Sequence, residues 1–135
     1  MPRGVRNNNP GNIKKGSRTW DGAIRGVDDT FVTFDNPTYG FKAMGDLLQV
    51  YQRKHGLNTV QGIINRWSPA SDHNSPGIYA AKVAKQMGIT PNTPLNLNDP
   101  NTLASLMTYM SQYENGGDYF DPGWIAKGAA MAIGR

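Results

Sequence analysis

Residues 99–117 read "DPNTLASLMTYMSQYENGG". Asp99 and Pro100 have the chemistry of a helix start: an aspartate oxygen accepts a free N–H, and proline is tolerated in the first turn. Leu103, Leu106, Met107 and Met110 then recur at helical spacing, so one face turns inward. Gly116 suits the left-handed residue at which helices stop. Extending the stripe Leu103–Met107–Met110 lands on residue 114, and of the ten acidic residues in the chain only this one is glutamate. Its position works against the anion twice. The C-terminal end of a helix carries partial negative charge, and desolvation against an apolar stripe disfavours the ionised form. A raised pKa is therefore expected for Glu114, and a carboxyl that keeps its proton near neutrality can act as a general acid. A glutamate at a frayed helix end, reaching solvent or pairing with a lysine, fits the same pattern.

Working outward, the same punctuation recurs. Asn36-Pro37 opens a helix that stops at Gly56, with Phe41, Met44, Leu48 and Tyr51 on one face. Thr59 caps a shorter helix bearing Val60, Ile63, Ile64 and Trp67, and Ser75-Pro76 opens one carrying Tyr79, Val83 and Met87 up to Gly88. Asp121-Pro122 opens the last, through Trp124, Ile125 and Met131. Trp67 and Trp124 are expected in the core. Before these helices, residues 1–17 read as a turn-rich arm, and residues 18–35 as a small β-hairpin with strands at 18–25 and 30–34, carrying Ile24, Val27, Phe31, Val32 and Phe34. The expected fold is mainly α (α+β): a single domain over 1–135, with about five helices over 36–135 and a small N-terminal hairpin.

The composition excludes several functions. Without cysteine there is no disulfide, and His55 and His73 lack ligand spacing, so no metal or other cofactor is expected. No apolar run reaches the roughly 20 residues of a membrane span. The N-terminus lacks the pattern of a signal peptide, so delivery by a holin-like route or within a virion is expected. A net charge of +4 suits attraction to a polyanion or simply a solvated surface. The chain lacks a basic stripe interleaved with exposed aromatics, which argues against a nucleic-acid partner. No serine- or cysteine-centred constellation is legible.

A helix ending in Glu114-Asn115-Gly116 resembles the catalytic-glutamate helix of the lysozyme superfamily, which includes lytic transglycosylases and flagellar-type muramidases. "NNNPGNIKKGSRTWDG" (7–22) and "FVTFDNPTYGFKAMGDLL" (31–48) resemble the segment that follows that helix in flagellar-type muramidases. Here the order is inverted, so the resemblance implies a circularly permuted lysozyme-like domain. Its N-terminal arm would lie beside the end of the Glu114 helix, and its hairpin would wall the cleft. The whole chain also resembles a group of small phage proteins labelled virion structural proteins or lysins, through "RGVRNNNPGNI", "FVTFDNPTYGFKAM", "INRWSP" and "ENGG".

These resemblances imply an enzyme that degrades peptidoglycan, cleaving between MurNAc and GlcNAc with Glu114 as general acid. It would be phage-encoded, monomeric, and active in the periplasm or cell wall, with virion components as further partners. An endopeptidase cutting the peptide cross-links, proposed for some relatives, is one alternative; a non-catalytic virion or peptidoglycan-binding protein is another. Two-carboxylate glycosidases need a second acid. A lysozyme-like fold would present it at the hairpin, where Asp28 is the candidate, with Asp29 beside it. "VDDT" reads equally as a turn. A lytic transglycosylase needs no second acid, because the sugar's own 6-hydroxyl closes a 1,6-anhydro ring. Asn12, Tyr79, Tyr119 and Asp72 are the candidate substrate contacts, since sugars are held by aromatic faces and polar side chains; Tyr79 also fits the core, and Asp72 also fits a cap.

Overall fold

The computed structural model describes residues 1–26, 28–72 and 74–134. Val27, assigned above to the hairpin, and His73 lie outside the described residues. The described residues form six α-helices and a two-stranded antiparallel sheet: α1 (Arg3–Arg6), β1 (Ala23–Ile24), β2 (Thr33–Phe34), α2 (Pro37–His55), α3 (Val60–Trp67), α4 (Pro76–Met87), α5 (Pro100–Asn115) and α6 (Pro122–Ile133). None of these helices is long and apolar enough to cross a membrane.

The helix ends follow the sequence punctuation. The side chains of Asn36, Thr59, Asp99 and Asp121 each accept a backbone N–H at the start of their helices. Gly56, Gly88 and Gly116 sit in the left-handed region at the stops. Ser75 precedes Pro76 as expected, but its side chain makes no capping bond. The interior is filled from α2 through α6, with Phe41, Met44, Leu48, Leu103, Leu106 and Met107 all fully buried. The crossing of α2 and α6 is close because Gly128 offers no side chain: a Cβ there would lie 2.5 Å from the Phe41 Cβ.

Trp124 departs from expectation. It is 41% exposed, at the wet start of α6, and Phe120 fills the interior instead, edge-on to Phe41 at 5.2 Å. Trp67 is half-buried and packs against both the helical core and a second cluster of Ile13, Trp20, Val32, Phe34 and Ala43.

The hairpin is also shorter than expected. Among the described residues its strands share the pairs Ala23–Phe34 and Ile24–Thr33. Segment 30–34 instead finds partners in the N-terminal arm, where Val32 N donates to Ile13 O (3.0 Å), Lys15 N to Thr30 O (2.8 Å) and Phe34 N to Asn7 O (2.8 Å). The arm itself opens with the helical turn α1.

Three consecutive asparagines hold this arrangement, each differently. Asn9 is fully buried; its amide donates to Ile13 O and Val32 O and accepts from Ile13 N, all at 2.9 Å. Asn8 adopts a left-handed φ of 52° and donates to Phe34 O at 3.0 Å. Asn7 donates to Asp28 Oδ2 at 3.1 Å and accepts from Thr33 Oγ1 at 3.2 Å. Asparagine suits all three positions because one short side chain offers both donors and an acceptor, and at Asn8 it also tolerates the positive φ.

Candidate active site

α5 carries Glu114 on its last turn, where the apolar face formed by Leu103, Met107 and Met110 ends. Asn115, the next residue, is buried; its amide donates to Ser111 O at 2.9 Å and to Pro10 O at 3.0 Å. That second bond ties the N-terminal arm to the end of α5. Gly4 permits the approach, since a Cβ on it would lie 2.3 Å from Asn115 Oδ1. The tie brings round Asn12, whose left-handed φ of 52° turns its amide so that Nδ2 donates to Glu114 Oε1 at 3.2 Å. The arm therefore lies beside the end of the glutamate helix.

Behind the carboxyl stands Tyr79 of α4, 1% exposed and stacked on Tyr113 with ring centroids 3.9 Å apart. Its hydroxyl donates to Met110 O at 3.3 Å and also faces Glu114. Burial pushes the Glu114 carboxyl above its ordinary pKa; the polar contact with the Tyr79 hydroxyl and the Asn12 N–H favour the anion and oppose this only in part. Burial first, then the charge of Glu114, holds Tyr79 well above the usual phenol value, so it stays a neutral donor.

In front of Glu114 lies an open cleft of about 680 Å³. Ile13, Trp20, Phe31, Tyr51 and Trp67 supply its apolar walls, and Asn12, Ser68 and Asn74 its neutral polar groups. Lys14, Arg18 and Arg66 supply positive charge, and among the described residues Glu114 is the carboxyl on the lining. The Arg18 guanidinium lies 3.8 Å from the Trp20 ring centroid, and that of Arg66 5.3 Å from the Tyr51 centroid. Apolar faces, amides and a buried carboxyl with a raised pKa can hold a ligand and pass it a proton.

The structure thus brings together Glu114 and Asn12 at the cleft, with Tyr79 touching Glu114 from the protein interior rather than from the cleft. It does not bring Asp28 there. Asp28 lies in a separate concavity with Arg3, Arg6 and Asp29, and its carboxylate accepts Phe31 N at 2.8 Å and Thr30 N at 2.9 Å. These two backbone bonds, with Asn7 and the Arg3 guanidinium at 3.1 Å, bring its pKa down to about 2. Such an aspartate closes a turn and holds no proton to give. Tyr119 is 47% exposed and off the cleft lining. Asp72 ends the 3-10 turn Ala70–Asp72, and its side chain lies outside the described residues.

Sequence reasoning missed Trp20, Tyr51 and the arginines of the cleft. A signal was present: "RTW" (18–20) and "RW" (66–67) repeat a basic residue beside tryptophan next to turn-rich sequence. It also gave Asn115 no role beyond a motif match, although its amide fixes the arm.

No protein-family model matches the chain. It is similar to Protein P5 of Pseudoalteromonas phage PM2, with 37% identity over 130 residues that span 93% of this chain and 79% of that protein. At that identity and coverage, the chain belongs to the family of the phage PM2 Protein P5.

Proposed function

We propose that the protein is a phage-encoded enzyme that cleaves the glycan strands of bacterial peptidoglycan in the cell wall. Its fold would be a circularly permuted lysozyme-like domain, and Glu114 its general acid. The observation that carries this reading is a buried, proton-favouring carboxyl at the base of an open, aromatic-walled cleft. Glu114 protonates the glycosidic oxygen as the bond to the anomeric carbon breaks. The carboxylate so formed then takes a proton from the attacking oxygen, either that of water or the 6-hydroxyl of the same sugar. Asn12 orients the carboxyl throughout and steadies the anionic stage through its N–H. The relationship to a phage protein and the basic net charge both suit a protein that works on an anionic envelope.

Release of soluble fragments from dye-labelled sacculi tests the reading. The wild-type protein is expected to release dye, and Glu114→Gln is expected to lose at least about 100-fold in rate. Equal release by both proteins would remove Glu114 from the chemistry. Binding without release by either would indicate a peptidoglycan-binding protein.

A further inference from the structure

We infer that this cleft recognises stem-peptide carboxylates through Arg18 and Arg66, and so selects peptide-bearing glycan over bare glycan. The inference rests on the glycan reading of the same cleft and adds what part of the polymer is read. A neutral sugar chain needs flat apolar faces and amides, which Trp67, Phe31 and Asn12 already offer. It gives no partner to Lys14, Arg18 and Arg66, which face the same space. The one carboxyl among the described lining residues is Glu114, which burial disposes to keep its proton. The surplus of positive charge therefore calls for an anion carried by the ligand.

Both arginines are held ready for one. Each guanidinium is supported on an aromatic ring, Arg18 on Trp20 at 3.8 Å and Arg66 on Tyr51 at 5.3 Å. A cation held over an aromatic ring is kept in the cleft wall, and a guanidinium so placed can meet a carboxylate in bidentate fashion. Arg18 approaches Asp46 only at 3.9 Å, and Asp46 is already held by Lys42 at 3.1 Å. Arg66 has no ion pair among the described residues. In peptidoglycan the carboxylates hang from the muramic acid, beside the sugar faces that the aromatic walls of the cleft would hold. A cleft that mixes stacking walls with prepared arginines matches that pairing of neutral sugar and acidic side branch.

The test uses the full-length Glu114→Gln protein, which would bind without cutting. Its affinity is measured by co-sedimentation with intact sacculi, and with glycan from the same sacculi after an amidase has removed the stem peptides. Peptide-bearing strands are expected to bind at least about tenfold more tightly, a difference of about 1.4 kcal/mol. That advantage should shrink in high salt. On adding Arg18→Gln and Arg66→Gln, the ratio of the two affinities should fall to about one. Equal affinity for the two polymers in the protein with both arginines intact would overturn the inference while leaving the glycan reading standing. So would a preference that survives loss of both arginines, or a single-stranded oligonucleotide that competes for them as well as a soluble stem peptide does. Failure to bind either polymer would overturn the glycan reading itself, and this inference with it.

Discussion

The Asn12 amide donates to Glu114 Oε1 at 3.2 Å across 102 residues of chain. One partner ends a helix near the C-terminus and the other turns in a left-handed conformation near the N-terminus. The contact depends on everything between them: the Asn115–Pro10 tie, the close approach at Gly4, and the asparagine run that pins the arm to β2. The separation of donor and acceptor in sequence makes the site a product of the whole fold.

Asn12→Gly isolates the amide, because glycine keeps the positive φ without strain. The bond from Asn12 favours the Glu114 anion, so its loss should raise the Glu114 pKa further and carry the alkaline limb of the activity profile to higher pH. Activity at the optimum should fall roughly 10- to 100-fold through lost orientation. A pH–rate profile of the variant against the wild type checks both effects.

Glu114 itself should cost stability at neutral pH. Its folded pKa lies above the ordinary 4.5, so the folded state holds its proton more tightly than the unfolded chain does. Stability therefore falls as pH rises from about 4.5 through the folded value, and stays lower beyond it. Glu114→Gln carries no charge to desolvate. It should melt at a higher temperature than the wild type at pH 7, with the gap closing below pH 4, as thermal scans at both pH values would reveal.

Asp28 works in the opposite sense. Its folded pKa of about 2 lies below the ordinary 3.8, so its contribution is complete above 3.8 and disappears as pH falls through about 2. Asp28→Asn should be less stable than the wild type at pH 7 and no different from it below pH 2. Its rate per folded molecule should stay within a few-fold of the wild type. A loss comparable with that of Glu114→Gln would instead make Asp28 a second acid.

Two substitutions test the frame that carries Asn12. Asn9→Ala strands the Ile13 N–H and the Val32 carbonyl and leaves Ile13 O only its bond from Val32 N, which should cost at least about 2 kcal/mol in urea unfolding. Gly4→Ala drives a Cβ to within 2.3 Å of Asn115 Oδ1 and 2.7 Å of Asn9 O. Overpacking of that kind costs about 1–3 kcal/mol, and because it pushes the arm off α5 it should also lower activity.

The sequence made the helices readable because their ends are set locally. A capping side chain, a proline in the first turn and a glycine at the stop act within a few residues, as at Asn36-Pro37 and Gly56. The buried position of Glu114 was readable for a similar reason, from the stripe it continues. The pairing of segment 30–34 was not readable, because its partners include Ile13 and Asn7, chosen by long-range amide contacts with no local pattern. Asp28 shows the same limit. An aspartate that closes a turn and one that serves a cleft look identical until the hydrogen bonds from Thr30 and Phe31 are seen. Trp124 sits at helical spacing on α6 yet falls where that helix meets solvent, a matter of tertiary placement.

In the proposed reaction Glu114 donates the proton that breaks a glycosidic bond. The most direct measurement is mass spectrometry of the soluble products from purified sacculi, digested by the wild type and by Glu114→Gln. Muropeptides with 1,6-anhydro or new reducing sugar ends are expected from the wild type alone, and would also identify the attacking oxygen. Unlinked peptides over intact glycan, or the same products from both proteins, would contradict that reaction.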